Sequence, residues 1–467
     1  MMKKLILILP LFLFITTSLK AQLGTEGTFD ARNFGMGKTA NAVSGGVFSI
    51  GINPANLIAY PIQHDLEIST LLPLPSMSVK GGTNFITIDD INYFFGGVNG
   101  QARYLDANDK QRLMDLFADG GTVGANMTLN ILMVSYFAGA DLGSFSFAIN
   151  DIAAFKANIP KAVPEVALYG NPAGKVFDFS ELDIKSWYLR SYSLSYARRI
   201  YTSVQQPFNV ISAGISVKYI QGFEYAGTDR VNSSFSSGTT GEITGNADFR
   251  GYSAFSGNFG VKYDFDPVKP KSSFSVFPEP AGSGLGIDLG LAASFGSDWR
   301  LSVSITDIGK IKWDKNAAQF TASGNVYIDD LSSDAQRDSL KDKFVGKSKK
   351  IDSFNTDLPT VLRFGAAKYF SKDLIATIDY NIGFNDMPGN STKGRISFGA
   401  EWKPMDWIPY IRTGFSFGGL YGFGWGVGLG FDIDWLEINV ATSDFNSFAA
   451  PNKAKYLSFA FDTRWKF

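Results

Sequence analysis

The chain of 467 residues has no cysteine and a single histidine, His64. Without cysteine there are no disulfides, no thiolate metal sites, no thiol nucleophile and no lipid anchor on a thiol. One histidine leaves His-based catalysis and a His metal site without the partners they need. Charge is balanced at −1, which argues against a polyanion-binding surface and so against nucleic acid as a partner. Beyond the extreme N-terminus no apolar run reaches the roughly 18 residues of a membrane-spanning helix. No nucleophile–base pair stands out. We therefore expect no catalytic residues, no metal and no cofactor, and a protein that is not an enzyme.

What is present points elsewhere. Lys3 and Lys4 precede an apolar run from Leu5 to Ile15, followed by Thr16-Thr17-Ser18 and by Ala21 before Gln22. This is the layout of a secretory signal peptide, residues 1–21, cut after Ala21. The run is too short to span a membrane as a helix. Aromatic residues make up 15% of the chain, with 41 Phe and 19 Tyr, beside 49 Gly and a mean hydropathy near zero. Lipid-facing and lumen-facing residues that alternate along strands average to such a composition.

The period-two test selects strands directly. At the C-terminus Leu457, Phe459, Phe461, Thr463, Trp465 and Phe467 share one face, and Ser458, Ala460, Asp462, Arg464 and Lys466 the other. A basic residue facing mid-bilayer lipid would cost ~2–4 kcal/mol, so the polar face belongs to the lumen. A terminal aromatic closing such a strand resembles the signal read by the bacterial barrel-insertion machinery, an expected partner through Phe467. Crossings are expected near 64–72, 126–138, 143–151, 187–199, 208–222, 284–296, 299–307, 358–370, 374–382, 394–403, 408–417, 424–432, 435–442 and 455–467. The fold class is thus all-β: a transmembrane antiparallel barrel of about 14 strands, over 64–467, in the outer membrane of a Gram-negative bacterium with membrane lipids around it. Short links alternate with long ones at 73–125, 152–186, 223–283 and 308–357. That is the pattern of periplasmic turns and extracellular loops. The apolar stretch 253–265 breaks the parity if counted as a crossing. It is read as part of an external hairpin or as wall above the membrane, and the role of 223–283 stays open. Short helices are expected after Asp106 and after Ser333, the latter with Gln336 as a capping box and Leu340 and Phe344 on one side. The Pro-rich 265–283 is expected to be extended.

Between the signal and the first strand, residues 22–63 hold a Gly-, Ala-, Ser- and Asn-rich stretch, Asp30 to Leu57, that ends in the turn signature Asn53-Pro54-Ala55. It is expected to form an N-terminal hatch inside the lumen. Gly424, Gly426, Gly428 and Gly430 alternate with Trp425, Val427, Leu429 and Phe431 on one strand. No helix follows them, so they are not a nucleotide loop. Interior strand glycines often mark the close approach of another backbone, here the hatch. Asp288, Asp379, Glu401, Glu437 and Asp462 face the lumen, as do Lys218, Arg300, Arg363 and Arg464. With Asp30, Arg32 and Lys38 they form a charge network suited to tying hatch to wall.

Asp30-Ala31-Arg32-Asn33-Phe34-Gly35-Met36-Gly37, then Ser44-Gly45-Gly46 and Asn53-Pro54-Ala55-Asn56-Leu57, resemble the N-terminal region of FadL-type outer-membrane proteins and the related PorV-type proteins. Asp288-Leu289-Gly290, Asp307-Ile308-Gly309-Lys310-Ile311-Lys312-Trp313 and Leu358-Pro359-Thr360-Val361-Leu362-Arg363-Phe364-Gly365 are similar to recurrent pieces of that superfamily. The overall pattern is most like a Bacteroidota barrel family of unknown function within it. The resemblance implies fourteen strands and a hatch carrying Arg32, Gly35, Met36, Gly37, Asn53, Pro54 and Ala55. It implies passive uptake of small hydrophobic compounds. It offers as alternative an interaction barrel, such as a PorV-like accessory of type IX secretion or cell-surface assembly, which would bind a protein partner at the extracellular loops. Phe274, Val276, Phe277 and the cluster Tyr93, Phe94, Phe95 are either an apolar mouth for a hydrophobic ligand or lipid-side aromatics of an extended wall.

Overall fold

The computed structural model describes residues 24–26, 30–59, 64–203, 208–268, 270–329 and 346–467. The expected signal peptide and the expected helix after Ser333 lie outside these residues.

Fourteen antiparallel strands pair in sequence order and close into a barrel. They are β1 (Leu66–Thr70, continued by Ser76–Thr83), β2 (Gly121–Phe137), β3 (Ser144–Ile159), β4 (Asp183–Thr202) and β5 (Phe208–Val231). Next come β6 (Gly282–Phe295), β7 (Trp299–Trp313), β8 (Phe354–Asp357, continued by Val361–Ser371), β9 (Leu374–Gly383) and β10 (Arg395–Trp402). The last four are β11 (Tyr410–Gly418), β12 (Gly424–Ile433), β13 (Leu436–Thr442) and β14 (Tyr456–Lys466). Both parts of β1 pair with β14, which shuts the seam. The start of β1 and the end of β14 meet at Leu66 and Phe467, on the same rim as the short turns. In an outer-membrane barrel that rim is periplasmic.

Burial follows the alternation. Along β6, Asp288, Gly290 and Ala292 are buried while Leu285, Ile287, Leu289 and Leu291 are exposed. Phe208 and Phe295 ring one side of the apolar band, and Tyr192 and Tyr219 the other. The eleven steps of β5 from Phe208 to Tyr219, at ~3.3 Å each and tilted by ~45°, span about 25 Å, the height of a lipid-facing band.

The structure corrects two boundaries. The expected first crossing is only the lower part of β1. On β2, residues 71–75, Leu-Leu-Pro-Leu-Pro, stand opposite Ile131 alone, and β1 then resumes opposite Asn130. Proline cannot donate to the ladder, so the strand bulges there. The strands also continue above the lipid band, and the long loops are correspondingly shorter. β3 runs to Ile159, and the upper part of β5 pairs with Ile243–Phe255, which pairs in turn with Ala317–Ile328. Of the stretch 253–265 read as a hairpin or wall extension, residues 253–255 are wall, and 256–265 leave it through the 3-10 turn Gly257–Phe259.

Two helices cover part of the loop rim. Ile88–Phe95 starts with a Thr87–Asp90 capping box, and Ala107–Leu116 is capped by Asp106 as expected. Phe94 packs with Leu113 and Phe117, so it is the core of this helix pair and not the lining of a mouth.

Candidate functional site: the N-terminal segment inside the barrel

Asp30 caps the short helix Ala31–Gly35 by accepting from the Asn33 N–H. Gly37 and Lys38 then adopt φ of 65° and 69°, which turns the chain back across the lumen. The segment proceeds through the 3-10 turn Gly46–Ser49 to the short helix Asn56–Ala59. Nearly all of its side chains from Asp30 to Ile58 are buried, polar ones included.

Buried polar groups need partners, and the inner wall supplies them. Asp379 on β9 accepts from the Ala40 and Asn41 N–H groups, each at 2.8 Å. Ser302 on β7 donates to the Asn41 carbonyl at 2.6 Å, and Ser304 to the Ile52 carbonyl at 2.6 Å. Asn53 Nδ2 donates to the Leu291 carbonyl at 3.1 Å while its Oδ1 accepts from Ala55. Apolar residues dock between these points. Val47, Phe48 and Ile50 pack on Met133 and Ala148, and Leu57 and Ile58 on Ala197.

Small residues let the backbones meet. A Cβ at Gly414 would overlap Met36, one at Gly426 would overlap Phe34, and one at Gly290 would overlap Asn53 and Pro54. Gly428 lies against Gly35. Gly424 and Gly430 are different. They adjoin Ser416 and Arg412, not the N-terminal segment.

Charges form a ladder around the lower lumen. Arg32 clasps Glu401 in a bidentate pair, Nε–Oε2 at 2.8 Å and Nη2–Oε1 at 2.6 Å, and donates to the Val43 carbonyl at 2.8 Å. Arg412 donates to Glu401 at 2.6 Å and also to Asn439. Asn439 donates to Glu437 at 3.0 Å and Asp462 at 2.7 Å. Arg464 bridges Glu437 to Glu67, and Glu67 accepts from the Val47 N–H at 3.0 Å. The Ala31 N–H donates to Asp462. Of the expected network, Asp30 serves as a helix cap, and Arg300 lies at the turn rim over the Tyr369 ring.

A second cluster lies higher. Glu26 pairs with Lys38 and with Arg395 at 2.9 Å, and Arg363 donates to the Gly24 carbonyl at 2.9 Å. The loop 384–394 comes down from the loop rim to meet these residues. The Glu26 N–H donates to the Gly389 carbonyl at 3.0 Å, and the Thr25 N–H to Asn390 at 3.1 Å. Asp386 of this loop takes a 2.7 Å bond from Lys156. Burial would raise its carboxyl, but the bonds from Lys156 and Thr392 prevail and hold it below the ordinary range. Of the third cluster, alternation placed Asp288 and Lys218 in the lumen but not Asp307. A bulge in β7 turns Asp307 inward at φ 60°, where it and Asp288 flank Lys218 at 2.6 and 2.8 Å.

The segment leaves open space at both ends. At the turn rim a cavity of about 460 Å³ is lined by Arg32, Glu67, Tyr369, Glu401, Arg464 and the lone His64. At the loop rim a polar cavity of about 290 Å³ is lined by Lys156, Asn158, Asp386, Lys393 and Leu420. Beside the latter the lumen is filled by packed apolar side chains. Trp187, Leu189, Ile220, Trp313, Leu358 and Met387 join one buried cluster with Tyr225 and Phe354. Arg412, Arg395, Glu26 and Glu67 were missed from the sequence. Arg412 and Arg395 sit at lumen positions of assigned strands, so register alone marks them.

Residues 62–444 match the model of a family described as of unknown function, DUF5723. The chain belongs to this family. No curated protein matches. Among solved structures, this member is similar to the Ralstonia pickettii toluene transporter TbuX, at 12% identity and a TM-score of 0.47, covering 95% of this chain and 99% of that one. It is similar to the Pseudomonas putida toluene transporter TodX, at 10% identity and 0.45, covering 94% and 99%. A Pseudomonas aeruginosa FadL homologue gives 13% identity and 0.44, covering 96% and 100%.

Proposed function

We propose that the chain is an outer-membrane barrel for passive uptake of small hydrophobic compounds, with residues 22–63 as a hatch. The supporting observation is the apolar lumen lining above the hatch. A barrel that passes water and ions keeps a polar interior, whereas this one places Trp187, Trp313, Leu358 and Met387 together inside the wall. Met387 comes from the same loop that touches Gly24–Glu26, and its unbranched thioether can repack around a guest. The hatch itself is held largely by hydrogen bonds and ion pairs that a polar cavity can re-solvate, so it can shift as a unit. In this reading residues 1–21 are removed on export, and β14 with Phe467 is the strand read by the insertion machinery.

The test is uptake by intact cells bearing lipopolysaccharide, with the hydrophobic dye 1-N-phenylnaphthylamine as probe. Cells producing the barrel should take up the dye faster than cells with an empty vector, and Trp187→Asp should remove the gain with folding unchanged. Equal rates in all three would overturn the proposal.

A further inference from the structure

Asp151 on β3 and Arg190 on β4 sit directly opposite each other in the sheet. Both lie at outward positions of their strands. The lumen side of β3 carries Asn150 and Ile152, and that of β4 carries Leu189 and Ser191. An ion pair on the lipid side of the wall should be exposed, yet Asp151 is 0% and Arg190 2% accessible. The cover is the segment 270–280. The Val276 carbonyl accepts from Arg190 Nη1 at 3.3 Å, and the Phe277 ring lies 5.3 Å from its guanidinium. Arg190 also grips Asp151 with Nε and Nη2, and Tyr188 donates to the same carboxylate at 3.2 Å. The segment is pinned at its flanks through Asn258, whose carbonyl accepts from Ser273 and whose Oδ1 accepts from the Glu279 N–H.

The outer surface of this cover is the opposite of polar. Phe274, Val276 and Phe277 are 84%, 61% and 77% exposed. Their level is fixed by register: Arg190 pairs with Gln221, two residues above Tyr192 and Tyr219 of the outer aromatic girdle. Beside and below the girdle the same face continues as exposed Leu285, level with Tyr219, and as Leu194, Val217 and Ile287. The exposed triplet is therefore continuous with the lipid-facing band.

We infer that residues 270–280 form a flap laid on the outside of the wall, which inserts Phe274, Val276 and Phe277 among the acyl chains of the outer leaflet. The flap seals the Asp151–Arg190 pair from lipid on one side and grips the membrane on the other. This is independent of transport. It also decides between the two readings of these aromatics, in favour of the lipid side.

The chain has no cysteine, so single thiols can be placed without background. F274C and F277C, each carrying the fluorophore NBD, would be measured in phosphatidylcholine nanodiscs whose acyl chains are brominated near the headgroup. L285C serves as a lipid-facing control and T240C as a solvent control. The expected result is blue-shifted emission and bromine quenching at 274 and 277, approaching that at 285 and absent at 240. Two results would overturn the inference. One is quenching at both positions no greater than at 240. The other is a blue shift that bromine does not affect, with F277C cross-linking between copies, which would make the patch a protein contact.

Discussion

Replacing Arg32 by Ala tests whether the charge ladder holds the N-terminal segment in place. Arg32 supplies two bonds to Glu401 and one to the Val43 carbonyl, and its side chain is 20% exposed. Hydrogen bonds that involve charge contribute about 1.5–3 kcal/mol each, and stripping a buried carboxylate of its partner costs about 3–5 kcal/mol. Glu401 keeps Arg412, which reduces the penalty. Water can enter from the adjoining cavity, which reduces it again. About 3 kcal/mol remains. At 1.4 kcal/mol per decade, that raises the population of displaced segment roughly 100-fold. The readout uses a buried reporter. Ser49→Cys introduces a near-isosteric thiol at a site with no accessible surface. Its reaction with a water-soluble maleimide reports the displaced fraction. The R32A/S49C protein should label roughly 100-fold faster than S49C alone, and E401Q should reproduce much of the effect. Rates within about twofold, in barrels that remain folded, would refute the assignment of Arg32 as a clasp.

Two further outcomes follow from the same geometry. Gly426→Val places a branched side chain where the Phe34 carbonyl lies, so it should expose S49C to labelling as R32A does, while Gly424→Ala, away from the segment, should leave labelling near the parent rate. The Lys156–Asp386 contact should respond to acid. Folding depresses the Asp386 carboxyl from its ordinary 3.8, so the contact contributes fully above that value and is lost as pH falls through the lower folded value. A spin label at Thr392 should gain mobility only below about pH 4, and D386N should be mobile at every pH. A label as rigid in D386N as in the parent would contradict the contact.

The strands were legible because lipid enforces alternation. Leu285 to Phe295 and Leu457 to Phe467 admit one register only, since Asp288, Asp462 or Arg464 cannot face hydrocarbon. The glycines of β12 announced a close neighbour, and Gly426 and Gly428 have one. Three features were not legible, each for a physical reason. The inward turn of Asp307 depends on a bulge, which breaks the period-two rule that located its neighbours. Asp151 and Arg190 face outward, where alternation assigns apolar residues, because a loop more than eighty residues away covers them. The descent of loop 384–394 onto Gly24–Glu26 joins chain segments more than 360 residues apart and leaves no local pattern.

The seam of the barrel is where the two ends of the chain are tied together. The strand that closes it, β14, presents Asp462 to the Ala31 N–H and Arg464 to Glu67, which in turn holds the Val47 N–H. Both edges of the last gap are therefore moulded on the N-terminal segment. Asp462 and Glu67 divide their bonds between the wall and the segment, Asp462 accepting from Asn439 as well as Ala31 and Glu67 from Val47 while pairing with Arg464. The two ends of the chain are thus joined through shared carboxylates at the one place where the wall closes.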